Sequence, residues 1–297
     1  MHTDPTAAAT LTGPRSAADA AGEPVLSLRE VHFGYEPGRA VVDGITAGLR
    51  PGRLTVMIGP NAAGKSTLLR LMLGQLRAWS GQVALEGEDV ADLSPGERAR
   101  RISYMPQRGG VSFAFTVREV VEMGRFAQAA DADAVEQALS DCDLHDIADS
   151  VFTHLSGGQQ QRVLLARALA QTSGTGRAVL ADEPVSSMDL WHVHRTMANL
   201  RRLATAGLAV LAVLHDLTLA AAYADDVWLV DHGRLLRAGA WADVLTPEVL
   251  SPVYRVDLRS LRDEASGSDR PVLVADARAA SDTMPALIDP SAMEATP

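Results

Sequence analysis

Residues 54–76 read LTVMIGPNAAGKSTLLRLMLGQL. The first five, Leu54–Ile58, form a short run with the length and composition of a strand buried on both faces. A turn of small residues follows, and Ser66–Leu76 then carries apolar residues at helical spacing. The turn, Gly59-Pro60-Asn61-Ala62-Ala63-Gly64-Lys65-Ser66-Thr67, matches G-x-x-x-x-G-K-[ST]. Glycine lets such a backbone close around a phosphate so that its N–H groups point at the oxygens. The amino terminus of the helix adds a field that favours an anion. Lys65 then supplies a point charge to the β- and γ-phosphates, and the Ser66 hydroxyl is placed to ligate Mg²⁺.

Lys65 is the sole lysine among 27 basic residues. A genome-wide bias against lysine codons accounts for the arginines elsewhere. The one retained ammonium marks a position where a compact point charge is needed and a guanidinium does not substitute. The rest of the composition bounds the function. The 297 residues are 47% hydrophobic, enough for a sizeable core, and aromatics make up only 4%, so Leu, Val and Ala carry the packing. A net charge of −10 argues against nonspecific grip on nucleic acid or an anionic membrane. One cysteine, Cys142, excludes an internal disulfide and fits a reducing compartment as a small buried residue. The most apolar run, Leu208–Leu214, is far short of the roughly 18 to 20 residues that span a bilayer. Residues 1–24 lack the basic start and apolar core of a secretion signal. A cytosolic protein is expected.

Outward from the phosphate loop, residues 1–24 are rich in Ala, Thr, Pro and Gly without periodicity and predict a disordered tail, as do residues 278–297. Val25–Arg29, Val31–Tyr35 and Ala40–Leu49 alternate as half-buried antiparallel strands do. Gly81–Leu85 predicts another strand. Residues 94–170 are mostly helical in pattern, with Gln107–Phe115 an irregular connection and clear helical spacing over Asp133–Leu139 and Gln159–Gln171. Strand Ala178–Ala181, helix Leu190–Ala204, strand Leu208–Leu214 and helix Leu217–Tyr223 follow. A hairpin, Val227–Val230 and Arg234–Arg237, turns at His232-Gly233. Strands alternating with helices imply a mostly parallel α/β sheet covered on both faces.

Two further segments carry chemistry. Val179–Ala181 runs into Asp182-Glu183-Pro184, placing two carboxylates at the carboxyl edge of a parallel sheet, where such sheets bind ligands. Asp182 suits Mg²⁺, and Glu183 is the candidate base that polarises the attacking water. A helix-capping turn would read the same way in isolation. Leu155-Ser156-Gly157-Gly158-Gln159 opens the long helix, with Ser156 a capping residue and two glycines leaving backbone N–H groups open to an anion.

Phosphate loop, glutamine, LSGGQ, then Asp-Glu, in that order, resembles the nucleotide-binding subunits of ABC transporters over about Val25 to Ala277. The resemblance implies a P-loop (RecA-like) core, an N-terminal antiparallel β-subdomain and an inserted helical subdomain at about 94–170. It implies hydrolysis of ATP with Mg²⁺ as cofactor. In that family LSGGQ completes the site of the opposite subunit, so Ser156, Gly157, Gly158 and Gln159 are expected to pin the γ-phosphate across a head-to-tail homodimer. Tyr35 resembles the aromatic that stacks on adenine. Gln107 resembles the glutamine that touches Mg²⁺ and the water, and His215 the histidine that contacts the γ-phosphate. Ser187-Met188-Asp189 resembles the loop that communicates between the two sites. Three positions depart from the family's common residues: Ala62 for glycine, Val185 for threonine and Met188 for leucine. Alanine at position 62 would cost about 1 kcal/mol or more if the backbone there is left-handed.

The stretch Phe113-Ala114-Phe115-Thr116-Val117 through Met123-Gly124-Arg125, with Leu245-Thr246-Pro247-Glu248, Val253-Tyr254 and a late strand near Pro271–Val274, resembles importers of iron chelates, haem and cobalamin. Its Phe-x-Phe-Thr-Val form leans toward haem. The implied partners are a membrane permease, and indirectly a substrate-binding protein, at the cytoplasmic face of the inner membrane; no nucleic acid is expected. An exporter subunit stays open on motifs alone. ABC ATPases acting on ribosomes or DNA usually carry two units in tandem or a long coiled-coil insertion, and P-loop kinases and GTPases lack LSGGQ.

Overall fold

A computed structural model describes residues 22–107, 109, 113–261 and 269–276. The expected tails lie outside the described residues, apart from residues 22–24. The chain opens with strands β1 (Leu26–Phe33) and β2 (Val42–Leu49), then β3 (Leu54–Ile58) and helix α1 (Lys65–Met72). Strands β4 (Ser80–Leu85) and β5 (Glu88–Asp89) follow, then α2 (Pro95–Arg101), β6 (Ile102–Met105), α3 (Val117–Glu122), α4 (Ala132–Asp141) and α5 (Gly157–Thr172). The second half runs β7 (Ala178–Asp182), α6 (Leu190–Thr205), β8 (Ala209–Val213), α7 (Leu217–Tyr223), β9 (Asp226–Asp231) and β10 (Arg234–Ala240). It closes with α8 (Trp241–Val244), α9 (Pro247–Tyr254), β11 (Leu258–Leu261) and β12 (Val272–Ala275).

The central sheet has six strands in the order β10-β9-β3-β8-β7-β6, parallel throughout except at the β9–β10 hairpin. Its middle strands are buried along their whole length, as their unbroken apolar runs require. Leu54, Val56 and Ile58 point into the core shared with α5, α6 and α7; Met57 points to the opposite core, shared with α1 and the antiparallel sheet β2-β1-β4-β5. Because β3, β6, β7 and β8 are parallel, the segments that follow them emerge at one edge. These segments are the phosphate loop, Gln107, Asp182-Glu183 and His215. That edge builds the site.

Local chemistry fixes the boundaries. The strands expected at Val25–Arg29 and Val31–Tyr35 are one strand, β1, with a register shift around Glu30, whose φ is +47°. The helix expected over Ser66–Leu76 stops at Met72 because Gly74, at φ +64°, closes a Schellman motif: Gly74 N–H donates to Leu71 O and Gln75 N–H to Arg70 O. His232 and Gly233 both take positive φ, the pair a two-residue type I′ hairpin turn demands. The helical reading of 94–170 is corrected at Ile102–Met105, which pairs with Ala178–Ala181 as β6. Four residues, Ile102-Ser103-Tyr104-Met105, are too few for periodicity to distinguish a strand from a buried helical turn. The late strand near Pro271–Val274 is β12, antiparallel to β11.

Candidate functional site

The phosphate loop is held in its shape by its neighbours. At Gly59, φ +150°, a Cβ would stand 1.9 Å from the carbonyl oxygen of Val230, so no side chain fits. Gly64 caps α1 at φ +100° and provides no side-chain cap, which leaves the first N–H groups of the helix for an anion. The Lys65 ammonium is buried and donates to Gly59 O at 2.6 Å and Pro60 O at 2.9 Å. Burial lowers its pKa, opposed by the charges of Glu183 and Asp182. Ala62 does take the left-handed region, φ +63°, so the strain expected of an alanine there is present. Tyr35 is exposed beside α1, its hydroxyl 3.2 Å from Thr67 Oγ1 and accepting from Arg70, its ring edge-on to Phe33.

Across from the lysine, the Asp182 carboxyl is buried at the end of β7. Burial pushes its pKa up and the adjacent Glu183 charge pushes it further; a hydrogen bond from the Ser66 hydroxyl, Lys65 and Arg70 pull the other way. Glu183 sits at φ +49°, a sparsely populated conformation for a glutamate. Both of its carboxylate oxygens are engaged. Gln107 Nε2 donates to Oε2 at 2.6 Å, and His215 Nε2 lies 2.7 Å from Oε1. The residues that sequence order alone associated thus meet from three separate strand ends.

The Ser156–Gln159 cluster is built as a reciprocal cap. Ser156 Oγ accepts from Gln159 N–H at 3.3 Å, and Gln159 Oε1 accepts from Ser156 N–H at 2.9 Å. It packs on the Ser187–Asp189 loop so tightly that a Cβ on Gly158 would fall 2.7 Å from Ser187 O. Ser187 itself is at φ +65°. Asp189 caps α6 by accepting from His192 N–H at 2.9 Å, and its second oxygen lies 2.8 Å from His192 Nδ1. The two departures from family residues are accommodated here: Val185 packs against the core, and Met188 Sδ accepts from Thr196 at 3.4 Å. Ser156–Gln159 and Asp189 line one open cavity of about 630 Å³, while Pro60–Ala63 line another with Tyr254 and His232. Within one chain, the two halves of the expected site face different spaces.

Sequence reading missed Gln161. It is buried in α5, and its Nε2 donates to Gln107 O at 2.5 Å and to Ser186 Oγ at 3.1 Å. It ties the glutamine loop, the long helix and the segment after Glu183 to one another. The available signal was a polar residue at a position where the apolar period of α5 calls for core. Of the exposed aromatics beside the glutamine loop, Phe113 is 73% exposed and Phe115 is partly buried against the core, their rings 6.1 Å apart. Cys142 is free and buried, and burial raises its thiol pKa. Among the described residues no helix is long and apolar enough to cross a membrane.

Comparison with known proteins agrees with this geometry. The family profile described as ABC transporter matches residues 42–186. The hemin import ATP-binding protein HmuV of Pseudomonas entomophila is 43% identical over 224 residues, covering 73% of this chain and 88% of that protein. The cobalamin import ATP-binding protein BtuD of Halobacterium salinarum is 42% identical over 238 residues, 78% of this chain and 59% of that protein. Among solved structures, an inward-facing ABC transporter provisionally classed as metal-chelate type superposes with TM-score 0.71 at 27% identity, covering 86% of this chain and 98% of that one. An ATP-binding subunit of an ABC transporter superposes at 0.70 and 23% identity, covering 78% and 98%. The chain belongs to the ABC transporter family, as one of its ATP-binding, ATP-hydrolysing subunits.

Proposed function

We propose that this chain drives an importer of an iron chelate or cobalamin, with haem the leading cargo, as a head-to-tail homodimer under a membrane permease at the cytoplasmic face. The observation that carries the motor assignment is the double hold on Glu183 by Gln107 and His215 beside the buried Lys65. Glu183 polarises the water that attacks the γ-phosphate. Gln107 and His215 fix its carboxylate in an otherwise disfavoured backbone conformation, so orientation is set before substrate arrives. Lys65 leaves its loop carbonyls for the β- and γ-phosphates. Tyr35 offers its exposed ring to adenine.

Mg²⁺ fits the donor set. Ser66, Asp182 and the side-chain oxygen of Gln107 are hard oxygen ligands, and no cluster of three or more His, Cys, Asp or Glu able to hold a metal occurs among the described residues. Such a partial shell suits an ion that arrives with phosphates and keeps waters. Bound by these residues, Mg²⁺ would neutralise the negative charge that develops on the phosphate oxygens. The Asp182 carboxylate, costly to keep ionised here, is the group that gains most from a cation.

The cargo assignment rests on the relatives, whose names specify hemin and cobalamin import. A permease would dock near Phe113, and a substrate-binding protein would act through the permease. Glu183→Gln is expected to bind MgATP with unchanged affinity and to hydrolyse it at least ~10²-fold more slowly, measured on the purified subunit. Near-parental hydrolysis would remove Glu183 from this role. ATP-dependent uptake by the reconstituted permease, subunit and binding protein, scored for haem, a ferric siderophore and cobalamin against a sugar and an amino acid, tests the cargo.

A further inference from the structure

Leu190 and Trp191, the first two residues of α6, are 75% and 58% exposed, an adjacent apolar pair in a chain with only four tryptophans. Trp191 is exposed and yet fixed. The His192 ring stands edge-on to it at 4.7 Å, and the Arg195 guanidinium lies over its ring at 5.0 Å. Arg195 is in turn pinned to the end of α4: it donates to Asp141 O at 3.2 Å and Ser140 O at 3.1 Å, and pairs with the Asp143 carboxylate. An aromatic ordered in advance loses little side-chain freedom when a partner covers it, and tryptophans in such positions dominate interfaces.

We propose that Trp191, with Leu190, is an aromatic anchor that docks on a second copy of this chain in the ATP-bound dimer. The proposal rests on the head-to-tail reading above and adds a residue that reading does not require. Continuity of the surface selects the occupant. Trp191 lies two residues past Asp189, whose loop backs Gly158 at van der Waals limit. His192, which braces the ring, lines the same cavity as Ser156 and Gly157. The Ser156–Gln159 cluster, the Asp189 loop and the start of α6 with Trp191 are therefore packed together as one surface unit. When Ser156–Gln159 meets the facing phosphate loop, Trp191 is carried onto that same copy. The two-fold axis buries it twice, so one substitution removes two anchors.

The test compares Glu183→Gln with Glu183→Gln/Trp191→Ala and Glu183→Gln/Trp191→Phe, each with ATP, by light scattering across a range of protein concentration. The alanine variant is expected to need at least about tenfold more protein for half dimerisation, with phenylalanine restoring most of the loss. Nucleotide binding by the monomeric proteins should be unchanged, since Trp191 does not line the cavity of the phosphate loop. Dimerisation of the alanine variant at the Glu183→Gln concentration overturns the anchor while leaving the composite site intact. So does a loss of dimer accompanied by an equal loss of nucleotide affinity, which would signal a folding defect. If Glu183→Gln itself stays monomeric with saturating ATP at several hundred micromolar protein, the head-to-tail reading fails and the anchor falls with it. Normal dimerisation with defective permease coupling would assign the patch to the permease instead.

Discussion

Asp182 and Lys65 hold charges that their surroundings disfavour, each chiefly through burial. The signs are opposite and the consequence is the same. A carboxyl whose folded pKa lies above its ordinary value contributes stability below about pH 4 and withdraws it as pH rises through the folded value. An ammonium whose folded pKa is depressed contributes only above its ordinary value near 10.5. At neutral pH both are costs to stability, of the kind that the proposed nucleotide site would explain. Asp182→Asn is therefore expected to raise the melting temperature of the nucleotide-free protein at pH 7 while abolishing Mg²⁺-dependent hydrolysis. The stability gap should shrink toward pH 4, where the parent carboxyl protonates. Thermal melts across that range, with parent and variant in the same buffers, measure it; a gap undiminished at low pH would mean the charge is not its source. These residues could be singled out in sequence because G-x-x-x-x-G-K-S is a strong local pattern, and Asp-Glu after a buried strand, ambiguous with a capping turn in isolation, gains its meaning from that loop upstream. Their mutual arrangement could not be read there. The contacts of Glu183 with Gln107 and His215 join positions 76 and 32 residues apart, and no local pattern encodes such pairings.

Between elements, the carboxyl end of α4 is tied to α6 by polar bonds. Asn199 is buried and donates to Asp141 O at 3.0 Å, Arg202 pairs with the Asp141 carboxylate, and Arg162 from α5 donates to Cys142 O and Asp143 O. These bonds satisfy carbonyls at the end of α4 that its own helix leaves unpaired. The arginines are partly exposed and exchange with water at small cost, whereas Asn199 is enclosed. Asn199→Ala removes an enclosed amide and one of the two donors to the Asp141 carbonyl, Arg195 Nε being the other, and is expected to cost about 1.5 kcal/mol, read by urea unfolding. Arg202→Ala, half exposed, should cost under about 1 kcal/mol. Equal losses would show that charge, and not burial, governs the joint. Periodicity located α4, α5 and α6 but gave no sign of this polar attachment. It also missed β6, whose place is set by pairing with β7 some 75 residues away, and Gln161, which breaks the apolar face of α5.

At the scale of the whole molecule, Phe113 and Phe115, the two aromatics of the Phe-x-Phe-Thr-Val segment, divide their labour. Phe113 projects, 73% exposed; Phe115 packs against the core that contains α3 and α5. Phe115 is also tied into the fold through its backbone, its carbonyl accepting from Phe152 N–H at 2.9 Å. The Phe113 ring touches the Phe115 ring edge-on but leaves most of its surface to solvent, and an exposed aromatic in this position fits a partner contact. The two substitutions should therefore separate. Phe115→Ala removes packed surface and is expected to destabilise the isolated subunit by about 2 kcal/mol, with ATPase lost only as the protein unfolds. Phe113→Ala should cost under about 1 kcal/mol and leave basal ATPase within about twofold of the parent, because it removes only the edge-on contact with Phe115 and alters neither Gln107 nor His215, which hold Glu183. In the assembly, it should weaken stimulation of ATPase by the permease and ATP-dependent uptake together, by about tenfold if the ring is an interface anchor. Gln107, earlier in the same stretch of sequence, bonds the Glu183 carboxylate that is proposed to activate the water. Parental uptake by Phe113→Ala in reconstituted vesicles would place the permease contact elsewhere on the molecule.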